Sequence, residues 1–297
     1  MKKVISLLFC LLAPLASLAK LNVVTTTTDL KNLVELVGGD NVVVDSFCKG
    51  TQDPHYLEAK PSFMLKAHSA DLLVSVGFDL EVGWLPLIIR GARNPKIREG
   101  GVGSFVAGAF IEALEKKSPG SVSRADGDVH PEGNPHFLLD PQNALVVAEK
   151  LKNKLSELDP ANAAIYTANF TKFADQLKVK LTDWQRRVGK DVKVITYHKT
   201  FTYFFHRFNI TNVAILEPKP GVAPTAQHII EVMRQAKSAG VRLALIENYF
   251  DPTVAKRVAK DVPGMSVAVV PVAVGGTASV LNIFDLYELL VKTIESY

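Results

Sequence analysis

Cysteine is scarce in this sequence, with Cys10 and Cys48 the two copies among 297 residues. Cys10 lies inside MKKVISLLFCLLAPLASLA, residues 1–19, which has the lysines, apolar centre and small-residue end of a secretory signal peptide, with predicted cleavage before Lys20. It is too deep in the apolar centre to be a lipoprotein cysteine. Cys48 alone would remain after cleavage, so we expect no internal disulfide, and we interpret Cys48 as a buried apolar residue.

Long apolar runs and an excess of charge are also missing from the rest of the chain. After residue 19, no apolar run approaches the roughly 18 residues that span a bilayer. The formal net charge is +4, and removing Lys2 and Lys3 lowers it to about +2, which excludes the strongly basic class of nucleic-acid-binding proteins. We therefore expect a soluble, monomeric periplasmic protein with no nucleic-acid partner.

Strand patterns alternate with helical patterns along both halves of the chain. The first half begins with LNVVTTTT, DLKNLVELVGG and NVVVDSF, and the second half repeats this alternation from KVITYH to a helix near 283–295. Strands separated by helices pair in parallel within α/β layers. Since about 280 residues favour two cores over one, we predict two Rossmann-like α/β lobes with parallel sheets, at 20–160 and 189–297.

Residues 161–188, between these lobes, contain neither proline nor glycine. Apolar residues recur there at helical intervals of three to five: Ile165, Phe170, Phe173, Leu177, Leu181 and Trp184. At 1.5 Å per residue the segment would form a helix about 40 Å long. Such a helix is a stiff connector, unlike a flexible linker rich in glycine and serine. We therefore expect the lobes to move little relative to each other.

Two similar loops place a histidine directly after a proline. QDPHYLEAKPS contains His55, and GNPHFLLDP contains His136. Proline fixes its own φ and restricts the residue before it, so each imidazole is presented from a stiff backbone. One such loop is ordinary turn chemistry, but the pair predicts two ligands of one metal ion.

Two further polar residues end predicted strands of the second lobe. His198 ends KVITYH, and Glu247 ends RLALIE. Ligands of open parallel sheets bind outside the carboxyl ends of the strands. We therefore expect His198 and Glu247 at one edge of the second lobe, facing the loops of His55 and His136 across a cleft.

These segments resemble the zinc- and manganese-binding proteins of bacterial ABC transporters, the cluster A-I (cluster 9) solute-binding proteins. The resemblance covers nearly the whole chain after residue 19. It is carried by DPHYLEAKPS, NPHFLLDPQNA, the long connector, TYHKTF followed by YFFHRF, and ILEPKPGVAPTAQHI. It implies two α/β lobes joined by a rigid helix, a metal held between them and delivery of that metal to a membrane permease. It also implies that His55, His136 and His198 bind the metal.

One part of the family pattern is missing from this sequence. The family usually supplies a fourth ligand, Asp or Glu, just after the strand that here reads SVAVVPVAVGG, and its residues Val272, Ala273 and Val274 cannot coordinate a metal. Either water fills that position or another carboxylate replaces it. Glu247 is the candidate carboxylate, with a supporting role beside the ligands or in lobe packing as its alternative.

The donor set predicts which metal binds. Three nitrogens with at most one carboxylate favour tetrahedral zinc, whereas manganese prefers more oxygen ligands. We therefore predict Zn²⁺ as the transported ion, ahead of Mn²⁺ or Fe²⁺. The alternative is a zinc-dependent hydrolase with the same three histidines and Glu247 as general base. Ligands from both lobes suit capture better than turnover, and the chain has no H-E-x-x-H or G-x-S-x-G motif.

The remaining candidates are weaker. We interpret His130, six residues before His136, as a solvated loop residue that could pass metal inward. Three histidines are interpreted as surface or core residues: His68, His206 and His228. Glu58 and Glu217 lie near the expected site, and they are candidates for orienting the ligand imidazoles.

Overall fold

The computed structural model describes residues 20–118, 129–189, 191–219 and 221–297. The predicted signal peptide and Cys10 lie outside these ranges. The first lobe contains the strands β1 (Leu21–Thr25), β2 (Val42–Ser46), β3 (Leu72–Ser75) and β4 (Ser104–Val106). The second lobe contains β5 (Lys193–Thr196), β6 (Thr211–Ile215), β7 (Leu243–Glu247) and β8 (Ser266–Val270).

Each set of strands forms one parallel sheet, as the alternation of strands and helices predicts. The strand orders are β2-β1-β3-β4 and β6-β5-β7-β8, so the two sheets have the same topology. The carboxyl ends of parallel strands meet at one edge of a sheet, where ligands bind. The predicted fold class is therefore confirmed. Strand β4 was not predicted, because its three residues are too few for a periodic pattern.

Helices pack on both faces of the sheets. Those of the first lobe are α1 (Thr28–Gly38), α2 (Pro61–His68), α3 (Leu85–Ala92) and α4 (Pro141–Leu158). The connector is α5 (Ala163–Arg187), and α6 (Thr202–Phe208), α7 (Ala226–Ala239), α8 (Thr253–Asp261) and α9 (Ile283–Glu295) follow it. Within the described ranges, no helix is both long enough and apolar enough to cross a bilayer.

Neighbouring strand residues enter different cores because the side chains of a strand alternate between its faces. Val23 packs in a core with α1, α4 and α5, whereas Val24 packs in another with α2 and α3. In the second lobe, Leu243 belongs to the same core as Val23, and Ala244 belongs to a core with α7 and α8. One hydrophobic core is therefore continuous across both lobes.

The connector α5 forms where residues 161–188 predict it. Its 25 residues make a helix about 37 Å long. Near its start, Asn169 donates a hydrogen bond to the carbonyl of Val37 at 3.0 Å. Near its end, the Trp184 indole donates to Glu288 of α9 at 2.8 Å, and Arg187 pairs with Glu295 at 2.7 Å. The helix is thus fixed to packed elements at both ends.

Polar contacts also join the lobes directly. Arg207 of α6 forms a two-pronged ion pair with Asp140, which precedes α4, at 2.8 and 2.9 Å. Asp29 of α1 accepts a hydrogen bond from the backbone N–H of Val274 at 2.8 Å. Burial raises the pKa of the Asp29 carboxyl to about 7, against the lowering effect of that hydrogen bond. The lobe interface therefore contains a carboxyl that is held partly protonated near neutral pH.

Asp29→Asn should make the stability of the metal-free protein less sensitive to pH. The folded pKa of about 7 exceeds an unfolded value of about 3.9, so stability falls as the pH rises from about 4 to 7. Through this group, raising the pH from 5 to 8 lowers the free energy of unfolding by about 2–3 kcal/mol. Urea unfolding at pH 5 and pH 8 should show that the variant lacks this part of the pH dependence. The asparagine keeps an oxygen that can accept from the N–H of Val274. Equal pH dependence in both proteins would contradict the prediction.

Candidate metal centre

The two Pro-His loops share one backbone geometry. In Asp53-Pro54-His55, the Asp53 carboxylate accepts a hydrogen bond from the backbone N–H of His55 at 3.0 Å. In Asn134-Pro135-His136, the Asn134 carbonyl oxygen accepts from the N–H of His136 at 2.9 Å. Each is a turn closed by an Asx side chain two residues before the histidine. The polar residue before each proline therefore sets the direction of the imidazole.

Contacts outside the loops hold both turns in place. The Trp84 indole donates to the carbonyl of Pro54 at 2.9 Å. The Asn134 amide donates across the lobe interface to the carbonyl of Lys199 at 2.9 Å, and the Tyr203 hydroxyl donates to the carbonyl of Asn134 at 2.9 Å. His198 follows β5, which ends at Thr196, so it lies in the loop after the strand and does not end the strand as predicted.

The structure brings His55, His136 and His198 together. One ligand atom of each lies within 4.8 Å of the others. The ring centroids are 5.2 Å apart for His55 and His136, 5.5 Å for His55 and His198, and 5.4 Å for His136 and His198. Among the described residues, this is the group of histidine, cysteine and acidic side chains arranged to hold an ion.

Carboxylates fix the tautomers of two of these rings. Nδ1 of His55 lies 2.6 Å from Asp53 Oδ1, and Nδ1 of His198 lies 2.5 Å from Glu217 Oε2. A carboxylate accepts, so each Nδ1 carries a proton and each Nε2 of a neutral ring keeps a lone pair. Nε2 of His136 is buried and has no hydrogen-bond partner in the described ranges. All three rings can therefore offer Nε2 to a cation.

The surroundings of the rings act on their protonation in opposite ways. Burial lowers the pKa of His136 well below its usual value, and the neighbouring imidazoles lower it further. Burial opposes the charge on His198, but the hydrogen bond to Glu217 and the charge of Glu247 raise its pKa above the usual value. His136 is therefore neutral and ready to bind metal at pH 7, whereas His198 binds a proton more tightly.

Glu247 ends β7 as the sequence predicts, and it is fully buried. Burial raises the pKa of its carboxyl to about 7, against the lowering effects of His198 and the Thr200 hydroxyl. Its oxygens do not belong to the group of ligand atoms within 4.8 Å of one another, and neither forms a well-oriented hydrogen bond in the described chain. Direct coordination by Glu247 would therefore require its side chain to approach the imidazoles.

In the family that this chain resembles, a carboxylate follows the last strand. Here that position holds apolar residues, and they lie beside the candidate site. Val272 and Ala273 line a small cavity together with His136. Val272 is buried, and neither side chain has an atom that could bind a metal. Within the described ranges, Val272 and Ala273 therefore offer the ion no side-chain ligand.

His130 is not the solvated loop residue that the sequence analysis describes. Its Nε2 lies 3.1 Å from Nε2 of His55, and its Nδ1 lies 2.8 Å from the carbonyl oxygen of Phe78. The side chain is half-buried. Burial and, to a smaller extent, the adjacent His55 lower the pKa of His130 to about 4. The ring is thus a neutral neighbour of the group of three.

Asp53 is a second residue that sequence reasoning missed. Its signal was the shared pattern Asp/Asn-Pro-His, which gives both histidines a polar residue two positions earlier. Of the two acidic candidates for orienting ligands, Glu217 contacts His198, whereas Glu58 is exposed and is not a hydrogen-bond partner of the three rings. Burial raises the pKa of the Cys48 thiol to about 12, and its sulfur does not belong to the group of ligand atoms within 4.8 Å of one another.

The other histidines lie away from the centre. Nδ1 of His68 lies 2.7 Å from the carbonyl oxygen of Ala92, and Nε2 of His228 lies 2.9 Å from that of Ile215. His206 is exposed on α6. Their interpretation as surface or core residues agrees with these positions.

Comparison with known proteins gives one family and a common fold. Residues 23–297 match the family described as ZnuA, zinc-uptake complex component A, periplasmic. The manganese ABC transporter substrate-binding lipoprotein PsaA of Streptococcus pneumoniae is 25% identical over 271 residues, 86% of this chain and 83% of PsaA. The iron-binding protein YfeA of Yersinia pestis is 26% identical over 249 residues, 82% of this chain and 74% of YfeA. A crystal structure of ZnuA, 21% identical, superposes with a TM-score of 0.77 over 93% of this chain and 98% of its own.

Proposed function

This chain belongs to the family of ZnuA, the periplasmic component of a zinc-uptake complex, and on that premise we propose that it captures Zn²⁺ between its lobes for delivery to a permease. At the level of the family it is a metal-binding substrate-binding protein of an ABC transporter, a class that works with a membrane permease. We infer that it acts in the periplasm after cleavage before Lys20. PsaA is named a lipoprotein, but Cys10 here lies within the apolar centre of the leader.

The observation that carries the proposal is the convergence of three imidazoles. His55, His136 and His198 come from three loops and both lobes, and their ligand atoms lie within 4.8 Å of one another. Zinc binds imidazole nitrogen at about 2.0–2.1 Å and accepts tetrahedral sets of such donors. These three residues are the proposed ligands.

The donor types support zinc over manganese. PsaA is named for manganese and YfeA for iron, so family membership alone leaves the ion open. Imidazole suits zinc, copper, iron and nickel, whereas carboxylates, carbonyls and water suit manganese. The group within 4.8 Å contains nitrogen donors and no carboxylate, and this favours Zn²⁺.

Carboxylates around the rings would compensate the charge of the ion. Asp53 and Glu217 each hold the Nδ1 proton of a proposed ligand. Although burial alone would raise it, the pKa of Asp53 is lowered by its hydrogen bond to His55, so this carboxyl is ionised. Acceptors of this kind orient ligand imidazoles and raise their basicity. We assign the same compensating role to the buried Glu247, which acts on His198 through its charge.

The alternative function, a zinc-dependent hydrolase, has less support. A general base must come within hydrogen-bond reach of the metal-bound water. Glu247 was the candidate base, and it is 0% exposed at the end of β7. A carboxyl enclosed in this way suits charge compensation better than exchange of protons with substrates.

Elemental analysis tests the proposed ion. The protein should be purified from the periplasm of growing cells without added metal, and it should contain about one zinc per chain because the described residues form one group of ligands. A preparation with manganese or iron in place of zinc would overturn the metal assignment. Protein that releases no metal and binds none on titration would overturn the carrier function itself.

Glu247→Gln should weaken zinc binding by about 10- to 100-fold, the loss typical of residues that act through a ligand. The substitution keeps the shape of the side chain and removes its charge, so His198 loses an electrostatic partner. Chelator competition measures the affinity, and Glu58→Gln, a change at an exposed carboxyl, is the matched control. A loss well above 100-fold would instead indicate that Glu247 moves in and coordinates the ion directly.

A further inference from the structure

His55 and His130 face each other through nitrogens that both carry lone pairs. Nδ1 of His55 donates to Asp53, and Nδ1 of His130 lies 2.8 Å from the carbonyl oxygen of Phe78, which can only accept. Each neutral ring therefore has its proton on Nδ1 and a lone pair on Nε2. These two Nε2 atoms are 3.1 Å apart. Such a pair is repulsive unless a proton or a metal ion lies between the two atoms.

The contact that fixes the tautomer of His130 depends on strained backbone. Phe78 and Asp79 follow β3 and have φ angles of 51° and 60°. Positive φ is uncommon for residues other than glycine, and a bulky residue adopts it at an energetic cost. The Phe78 ring also packs against Phe137, next to His136, at a centroid distance of 5.8 Å. The turn thus directs a carbonyl to His130 while it supports the neighbouring ligand loop.

The loop from His130 to His136 is held at several points. The N–H of Lys117 donates to the carbonyl of Pro131 at 3.0 Å, and the N–H of Asn134 donates to that of Leu114 at 2.9 Å. Gly133 has a φ of 135°, and a Cβ there would lie 2.5 Å from Cβ of Ala113. The close approach of these two segments requires glycine. His130 is therefore placed by the fold, beside the proposed metal site.

The geometry points to His130 as a fourth imidazole ligand of the ion, which makes the centre a four-histidine site. This inference rests on the proposed function, since it extends the site of His55, His136 and His198. At zinc–nitrogen distances of about 2.0–2.1 Å, nitrogens 3.1 Å apart subtend about 100° at the ion, near the tetrahedral angle. The ring centroids of His55 and His130 are 5.2 Å apart, as for His55 and His136.

Closing the set around one ion requires a movement of His130. Its Nε2 reaches His55 but does not belong to the group within 4.8 Å. Binding therefore draws the His130 ring toward His136 and His198. Because the loop after His130 is held in place, we expect this movement to come from the His130 side chain. In this arrangement His130 supplies a fourth donor, which the side chains of Val272 and Ala273 cannot.

A four-imidazole centre would select against manganese. All donors to the ion are neutral nitrogens, and the negative charge stays on Asp53, Glu217 and Glu247 around them. Imidazole donors suit zinc, nickel and copper, and manganese favours oxygen. His130 is thus the residue that most separates the affinities for Zn²⁺ and Mn²⁺.

X-ray absorption at the zinc edge counts the imidazoles directly. The zinc-loaded full chain should show four imidazole rings around the metal, and His130→Ala should show three with water in the vacated position. The zinc dissociation constant of His130→Ala should rise about 100-fold, whereas that for Mn²⁺ should change less than about tenfold. His206→Ala, a change at an exposed histidine on α6, should alter neither value. Thermal unfolding of the metal-free variants checks that His130→Ala is folded.

The outcomes separate this inference from the proposed function. Three imidazoles in the wild-type spectrum, or unchanged zinc affinity in folded His130→Ala, would overturn the fourth ligand. If His55→Ala still loses zinc in that case, the carrier function and its three-histidine site stand. If His55→Ala also binds zinc as the wild type does, both proposals fall. The spectrum of the wild type requires no variant. It therefore still decides the number of imidazole ligands if His130→Ala does not fold.

Discussion

Replacing any one of His55, His136 and His198 with alanine should weaken zinc binding by about 100-fold or more. Structural zinc sites bind with about 10–16 kcal/mol, which is about 3 kcal/mol for each of four ligands. Since about 1.4 kcal/mol corresponds to a factor of ten, one lost ligand corresponds to about two orders of magnitude. Competition with a chelator of known affinity measures the change, and His206→Ala is the control at an exposed imidazole.

His136→Ala is the cleanest of these three variants. The rings of His55 and His198 each donate to a carboxylate, so their removal also takes the imidazole donor from Asp53 or Glu217. Nε2 of His136 has no such partner in the described chain, so its loss removes a ligand and little else. At the same zinc concentration, zinc should also raise the unfolding temperature of the wild type more than that of the variant, because a ligand stabilises the folded state in proportion to the logarithm of its binding. Wild-type zinc affinity in His136→Ala would remove this residue from the site.

Trp184→Ala should destabilise the metal-free protein by about 3–5 kcal/mol, the range for truncating a buried tryptophan. Trp184 is 0% exposed in the core that crosses both lobes. Its ring packs edge-on against Tyr287 at a centroid distance of 5.6 Å, and its indole N–H donates to Glu288 at 2.8 Å. The variant therefore creates a cavity and removes a contact between α5 and α9.

Urea unfolding of the metal-free protein at fixed pH measures this effect. Trp184→Phe keeps an aromatic ring and loses the N–H, so it should cost less than Trp184→Ala. Ile165→Ala lies on the same helix at a side chain that is 46% exposed, and it should cost less than about 1 kcal/mol. A loss below about 1 kcal/mol in Trp184→Ala would show that the junction of α5 and α9 does little to stabilise the fold.

Regular elements could be predicted because they depend on local pattern. A segment without proline or glycine and with apolar residues at helical spacing became α5 within a residue or two of the predicted limits. Alternation of strands and helices gave the parallel sheets. The three-residue strand β4 has no such pattern and forms because β3 lies beside it. The position of His198 beyond its strand was missed for the same reason, since a strand ends where pairing ends.

The metal centre could be predicted in part. His55, His136 and His198 were identified by proline or by the end of a strand, both of which are local signals. His130 has its proline after it, and its contact with His55 joins residues 75 positions apart. No local pattern encodes such a contact. The sequence also shows that the carboxylate position of the family holds valine and alanine, but the enclosed environment of Glu247 depends on segments distant in sequence, including His198 and Thr200.

The proposed zinc ligands come from both lobes, and this arrangement affects the rate at which zinc can dissociate. His55 and His136 belong to the first lobe, and His198 follows β5 of the second. Because α5 and a shared core join the lobes, a permease could separate them only against buried packing. Displacing the short loop after β5 would break one coordination bond and leave the others intact. We therefore expect the off-rate of zinc to follow the mobility of that loop, and a docked permease that engages it would accelerate unloading without opening the protein.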